Sequence, residues 1–157
     1  YTSHTSGYSS REIAPFALVN DGLRWHIRAF DRKSKEFRDF VITRVLKSQL
    51  IEDSQILHHE QSAADIQWNR IVELDLVPHP NQEYLEIIEN DYGMTGGALH
   101  LKLRAAIAGY VLRQWIVDCS SGHSLQGKEY RLWLRNHLAL YGVSSAKLAP
   151  GYEFPEV

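Results

Sequence analysis

The chain has 157 residues, 44% of them hydrophobic and 23% charged, with a formal net charge of −2. That is an ordinary globular composition for one domain or two small ones, and no apolar run approaches the roughly 20 residues a membrane span needs. The single Cys119 excludes an internal disulfide framework and favours a reducing compartment. The small net charge hides a segregation: residues 1–50 hold nine Lys/Arg against five Asp/Glu, residues 51–100 one against ten, and residues 101–157 seven against four. A basic first third beside an acidic middle points to a localised anion-binding surface. The acidic middle itself reads as a solvated face.

Tyr1 to Arg11 is a Ser/Thr/Gly/Tyr-rich entry with room for one short strand around Tyr1-Thr2-Ser3. The start at Tyr1, polar and without Met, reads as a piece of a longer, non-secreted and therefore cytoplasmic protein. Ile13 to Val19 has strand length, and Pro15 places it at an edge or near a strand start. Asn20-Asp21-Gly22 is a turn signal leading into a second strand, Leu23 to Phe30. Asp31 to Lys35 is a polar turn, Glu36 to Val45 a third strand, and Leu46 to Ile51 a possible fourth. Short strands joined by tight turns suggest a small β-barrel.

The character changes after residue 52, and Gln61 to Asp65 reads as a linker. A boundary there gives a β-barrel over 1–60 and an α+β part over 61–157. In the second part Ile71 to Val77 alternates as a strand, and Asn81 is placed to cap a helix through Ile88. Leu99, Leu101 and Leu103 alternate again, Ile107 to Trp115 has helical spacing, and Tyr130 to Leu134 closes the series as a strand. Strand, helix, strand, helix, strand describes a small α+β domain.

The arginines of the second and third strands are the candidate binding residues. Alternation puts Arg24, His26 and Arg28 on one face and Trp25, Ile27 and Ala29 on the other. Trp25 and Phe37 are then expected in the barrel core. Arg38 and Arg44, six apart, share a side if one strand carries both, with Arg28 alongside. A guanidinium fork suits phosphate oxygens, and three converging forks repel one another until an anion arrives. The alternative is that Asp31, Glu36 and Asp39 satisfy them as structural ion pairs, and for Arg38 and Arg44 taken singly the two remain open. His58-His59-Glu60 lacks a third well-spaced metal ligand, and nothing around Cys119 and His123 supplies an activated nucleophile. Neither a metal, a cofactor nor an enzymatic site is expected.

The ordered series Arg11 to Val19, Leu23 to Ala29 and Phe37 to Val45 resembles the WYL domain of bacterial transcriptional regulators. The name-giving triplet stands here as Trp25-His26-Ile27. Leu74 to Pro80, Asp91-Tyr92-Gly93-Met94, Arg104 to Trp115 and Val117-Asp118 are similar to the C-terminal extension of a WYL repressor subgroup linked to phage defence. The resemblance implies an Sm-like, SH3-type barrel of about five strands, and a homodimer in which the extension dimerises and couples. It also implies operator binding through an N-terminal winged helix-turn-helix absent from this chain, and a nucleotide or oligonucleotide effector. By position, the polar pocket of that family falls on Tyr1, Ser3, His26, Arg28, Arg38 and Arg44. A purely structural dimerisation module and an Sm-like RNA-binding module remain as alternatives.

Overall fold

The computed structural model describes residues 1–155 and divides into two compact units, Tyr1–Ile66 and a second from Gln67 onward. Its elements run, in chain order, β1 (Thr2–Ser3), β2 (Gly7–Tyr8), β3 (Ile13–Asn20), β4 (Trp25–Asp31), β5 (Glu36–Val41), α1 (Ile66–Asn69), β6 (Ile71–Pro78), α2 (Leu85–Asp91), β7 (Leu99–Arg104), α3 (Ala105–Gln114), β8 (Val117–Asp118) and β9 (Leu132–Leu134), with several short 3-10 turns between them. The architecture is mixed sheet and helix.

The first unit holds five strands in two separate sheets, the hairpin β1–β2 and the antiparallel meander β3–β4–β5. The expected closed Sm/SH3-like barrel is not formed among the described residues. The β3–β4 turn forms as its sequence dictates. Asn20 Oδ1 accepts the Gly22 N–H at 2.7 Å, and Asp21 Oδ1 accepts those of Leu23 and Arg24 at 2.8 and 2.6 Å. Gly22 takes φ +90°, open to glycine at no steric cost. The third strand stops at Val41, and Ile42–Arg44 is a 3-10 turn whose last carbonyl accepts a hydrogen bond from Thr2 Oγ1. The possible fourth strand over Leu46 to Ile51 is irregular chain.

Residues paired across an antiparallel ladder share a face. Arg28 pairs with Asp39 and His26 with Val41, whereas Ala29 pairs with Arg38 and Ile27 with Phe40. One face of the meander therefore carries His26, Arg28, Phe30, Phe37 and Asp39, and the other Trp25, Ala29, Arg38 and Phe40. The alternation expected for β4 is present, but neither face is simply the solvent side: Ala29 and Phe40 are buried on one face, His26 and Arg28 on the other. His26 and Arg28 are buried, while Trp25 is 51% exposed rather than in the core. The chain over 58–65 supplies the cover: the His59 ring meets Phe30 at 5.4 Å, Glu60 pairs with Arg32, and Asp65 pairs with Arg28. Phe37 is half-buried and packs edge-on against Phe30 and Phe16. On the opposite face Phe40 lies under the Tyr1 ring at 5.2 Å.

The second unit is built on a four-stranded sheet in the order β7-β6-β9-β8, antiparallel except for β8–β9. The inward residues of β6, Val72, Leu74 and Leu76, join Leu132 and Leu134 of β9 and Ala105, Ala108 and Leu112 of α3 in one apolar core. Helix α3 comes close to the turn at Ser145. Gly109 N–H donates to Ser145 Oγ at 2.9 Å, and a Cβ on Gly109 would lie 1.8 Å from the Ser145 carbonyl oxygen. Asn81 does not cap α2, which starts four residues later with Tyr84 at its cap. The Asn81 amide instead donates to the His123 carbonyl at 3.3 Å.

Candidate functional site

The residues expected to form one basic wall fall into two groups. Arg28, buried beneath residues 58–65, has a carboxylate partner at each of its three nitrogens. Its Nε and Nη2 donate to the two carboxylate oxygens of Asp65 at 2.7 and 3.0 Å, and Nη1 donates to Asp39 Oδ1 at 3.3 Å. Burial works against the cation, yet the bonds to Asp65 and the charge of Asp39 overcome it and raise the Arg28 pKa. His26 beside it hydrogen-bonds through Nε2 to Asp21 Oδ2 at 2.7 Å. Burial alone would raise the Asp21 pKa, but the bonds from His26, Arg24 and Leu23 bring it down to about 2.

Arg38 stands on the other face with its side chain 47% exposed, and its nearest carboxylate is Asp31 at 3.9 Å. Asp31 is already engaged by the Arg11 guanidinium, the Ser34 hydroxyl at 2.9 Å and the Lys33 N–H at 3.0 Å. Burial pushes its pKa up, and these donors outweigh that and hold it below the usual range. Arg44 makes no ion pair among the described residues. It lies beyond the end of β5, so Arg38 and Arg44 do not share a strand as expected. Because Arg28 and Arg38 point to opposite sides of the sheet, the three arginines do not converge.

Tyr1 and Ser3 lie in the terminal segment. The Tyr1 hydroxyl accepts the Val41 N–H at 3.1 Å, which ties Tyr1 to the end of the strand that carries Arg38. Ser3 Oγ is bonded within its own turn, to Ser6 Oγ at 2.6 Å and from the Ser6 N–H at 2.9 Å.

Sequence reasoning missed Asp65, placed in the linker, and Arg32, placed in a turn. Arg32 holds Glu60 through Nε and Nη2 at 3.0 and 2.9 Å, Ser54 Oγ at 2.6 Å and the Gln55 carbonyl at 2.9 Å. These two pairs pin the irregular chain after β5 to the sheet. No local signal marks either: Asp65 is 37 residues from Arg28. The acidic residues weighed as partners were the near ones, and of those only Asp39 meets Arg28.

In the second unit His79, Asp118 and Ser120 form a buried hydrogen-bonded group, whereas the buried Nδ1 atoms of His123 and His137 have no hydrogen-bond partner among the described residues. His79 Nδ1 accepts the Asn81 N–H at 3.2 Å, so its Nε2 carries the proton donated to Asp118 Oδ2 at 2.8 Å. Asp118 also accepts the Ser120 hydroxyl and N–H at 2.7 and 2.9 Å. Burial pushes the Cys119 thiol pKa up, which leaves it a poor nucleophile. No helix among the described residues is long and apolar enough to cross a membrane.

Comparison with known proteins follows the same division. Residues 1–50 match the WYL domain, and residues 71–140 match the C-terminal dimerization domain of the BrxR transcriptional regulator. The chain is 32% identical over 137 residues to the DNA-binding transcriptional repressor CapW of Escherichia coli strain KTE188, covering 86% of this chain and 44% of that protein. It is 39% identical over 106 residues to the CapW repressor of Pseudomonas aeruginosa, covering 66% of this chain and 34% of the relative. The Stenotrophomonas maltophilia CapW repressor is 37% identical over 109 residues, 64% of this chain and 33% of the relative. The chain thus spans less than half the length of each of these relatives. With both parts matched in order, the chain belongs to the WYL-domain transcriptional regulators that carry a BrxR-type C-terminal dimerization domain.

Proposed function

We propose that this chain is the effector-sensing and dimerisation region of a cytoplasmic transcriptional repressor. The first unit senses a phosphate-bearing nucleotide or oligonucleotide, and the second joins two copies into a homodimer. Operator DNA is held by an N-terminal domain of the full-length protein, in a phage-defence setting. The effector shifts the dimer between DNA-competent and DNA-incompetent arrangements, which requires different affinity for the two.

The observation that carries the effector reading is the contrast among the arginines. Arg28 is neutralised by Asp65 and Asp39, whereas Arg38 is half-exposed with one remote carboxylate at 3.9 Å. An exposed fork on the strand whose end Tyr1 holds is available to an anion. Arg38 stands on β5, an edge strand of its sheet. A backbone with several phosphates can meet the exposed Arg38 and, beyond the end of β5, Arg44, while His26 and Arg28 are buried and paired in this state. That favours an oligonucleotide over a mononucleotide. Ser3 adds a hydroxyl at the same end of the unit.

One observation favours a second reading, a structural dimerisation module without ligand: the carboxylates that fill the Arg28 fork. Fluorescence anisotropy with a labelled short oligothymidylate bearing a terminal phosphate separates the two. The effector reading expects binding at low salt that weakens steeply as salt rises, and a loss of about tenfold or more in Arg38→Ala and in Arg44→Ala. Equal affinity in wild type and both variants overturns it.

A further inference from the structure

Helix α3 ends on a strained residue. Trp115 caps it, donating its N–H to the Val111 carbonyl at 3.0 Å, and Ile116 follows with its N–H on the Arg113 carbonyl at 3.1 Å. Ile116 takes φ +52°, the left-handed turn that commonly closes a helix and that glycine adopts freely. A β-branched residue is an outlier there, because its Cβ crowds the backbone. Burial within the chain does little to offset that strain: Ile116 is 41% exposed, and Trp115 beside it is open to solvent as well. The Trp115 ring meets Tyr92 at 6.3 Å, and the Arg131 guanidinium lies over the other aromatic, Tyr92, at 5.7 Å. Arg131 also lines a groove of about 510 Å³ between α2 and residues 126–128, together with Tyr84, Ile87 and Ile88. Tyr84 and Ile87 are themselves exposed. An apolar knob, Trp115–Ile116, and an apolar groove therefore share one surface of the second unit, joined through Tyr92 and Arg131.

We infer that two copies of the chain meet on this surface, with the Trp115–Ile116 knob of each seated in the α2 groove of the other. This rests on the dimerisation reading above and names its surface. A two-fold contact requires a patch that complements itself. A knob and a groove side by side do so, since a two-fold axis passing between them sets each knob against the other copy's groove. The charges at the middle agree with it. Arg131 donates to Asp91 at 2.5 Å, and both side chains are half-exposed, so across the axis each copy's guanidinium can reach the other's carboxylate. Trp, Tyr and Arg are the residue types that concentrate at interface centres. All of these residues lie within 71–140, the stretch matched to a C-terminal dimerization domain. Seating Ile116 in a partner also gives its unfavourable φ a reason: glycine would end the helix as well, but would leave no knob.

Sedimentation of the whole chain over a range of concentrations gives the dimer dissociation constant, and thermal unfolding far below that concentration gives the stability of the monomer. Ile116→Gly separates the two quantities. The proposal expects a dimer weakened about tenfold or more, with a monomer at least as stable as wild type. Ile87→Ala, on the groove side, weakens the dimer too. The double variant then loses less than the product of the two single losses, because knob and groove touch across the interface. Single losses that multiply in full overturn the seating of the knob in the groove. A less stable Ile116→Gly monomer with unchanged association overturns the proposal, since the side chain then serves only its own chain. Unchanged association in both variants removes this surface while dimerisation stands through another. A chain that stays monomeric at every concentration overturns this surface and the dimerisation reading together.

Discussion

The two units are stabilised by different means. The second buries a continuous apolar cluster, with Leu74, Leu76, Leu112, Leu132, Leu134 and Leu140 fully enclosed. The first buries Asp21, His26, Arg28, Asp31, Glu60 and Asp65 beside a short apolar set of Ala14, Val19, Ala29, Phe30, Phe40 and Val41. Apolar packing does not titrate and is not screened by salt, whereas buried ion pairs respond to pH and to any competing ion. A unit held by exchangeable charges can register an anionic effector; a unit held by leucines is suited to a constant role such as dimerisation.

The largest expected effect breaks the comparison from the apolar side. Leu74→Ala empties a fully buried position between sheet and helix and costs the second unit about 3–5 kcal/mol, read by residue-resolved hydrogen exchange in urea, with the first unit unaffected. On the charged side, Arg28→Ala removes the buried guanidinium that Asp65 and Asp39 share and costs the first unit roughly 3 kcal/mol. The paired change Arg28→Met with Asp65→Leu costs far less, since it removes both charges together, and comparing the two by the same exchange experiment measures how much of the loss is uncompensated charge.

Acid sharpens the contrast. The Asp21 pKa is near 3.8 in the unfolded chain and about 2 in the folded one. A depressed carboxylate stabilises the fold above its unfolded value, and that contribution is lost as pH falls through the folded value. The first unit therefore loses about 2 kcal/mol between pH 4 and pH 2 from this group. Asp31, lowered by the Lys33 N–H, Ser34 and Arg11 against its burial, adds loss in the same direction. Asp118, lowered by Ser120 and His79 against its burial, gives the second unit a smaller dependence of its own. Acid titration followed by exchange should show the first unit opening before the second. The smallest expected effect is that of Arg38→Ala on stability, within about 0.5 kcal/mol, because its side chain is half-exposed and its one carboxylate is remote. Thermal unfolding that matches wild type would show that any loss of binding in this variant is a loss of contact.

The strands β3, β4, β6 and β7 and helix α3 were legible because their apolar residues recur at the right period. Period does not tell which face of a strand is buried. On β4 the polar face is covered as well, because carboxylates from positions 39 and 65 neutralise Arg28 and Asp21 bonds His26. Trp25, the more hydrophobic choice for a core, is left exposed. The end of β5 at Val41 was illegible for a similar reason: Ile42 to Val45 keeps strand-forming residues, yet the chain turns there and its carbonyl at Arg44 is taken by Thr2, a contact 42 residues away. The candidate arginines were found as residue types, but their partners were not, since the decisive ones are distant in sequence.

Hydrogen exchange of the whole chain, with and without the phosphate-bearing oligothymidylate, tests the account most directly. The account predicts slower exchange around residues 1–3 and 36–44, and no change in the leucine core of the second unit. Unchanged exchange throughout the first unit, or changes confined to the second, would contradict it.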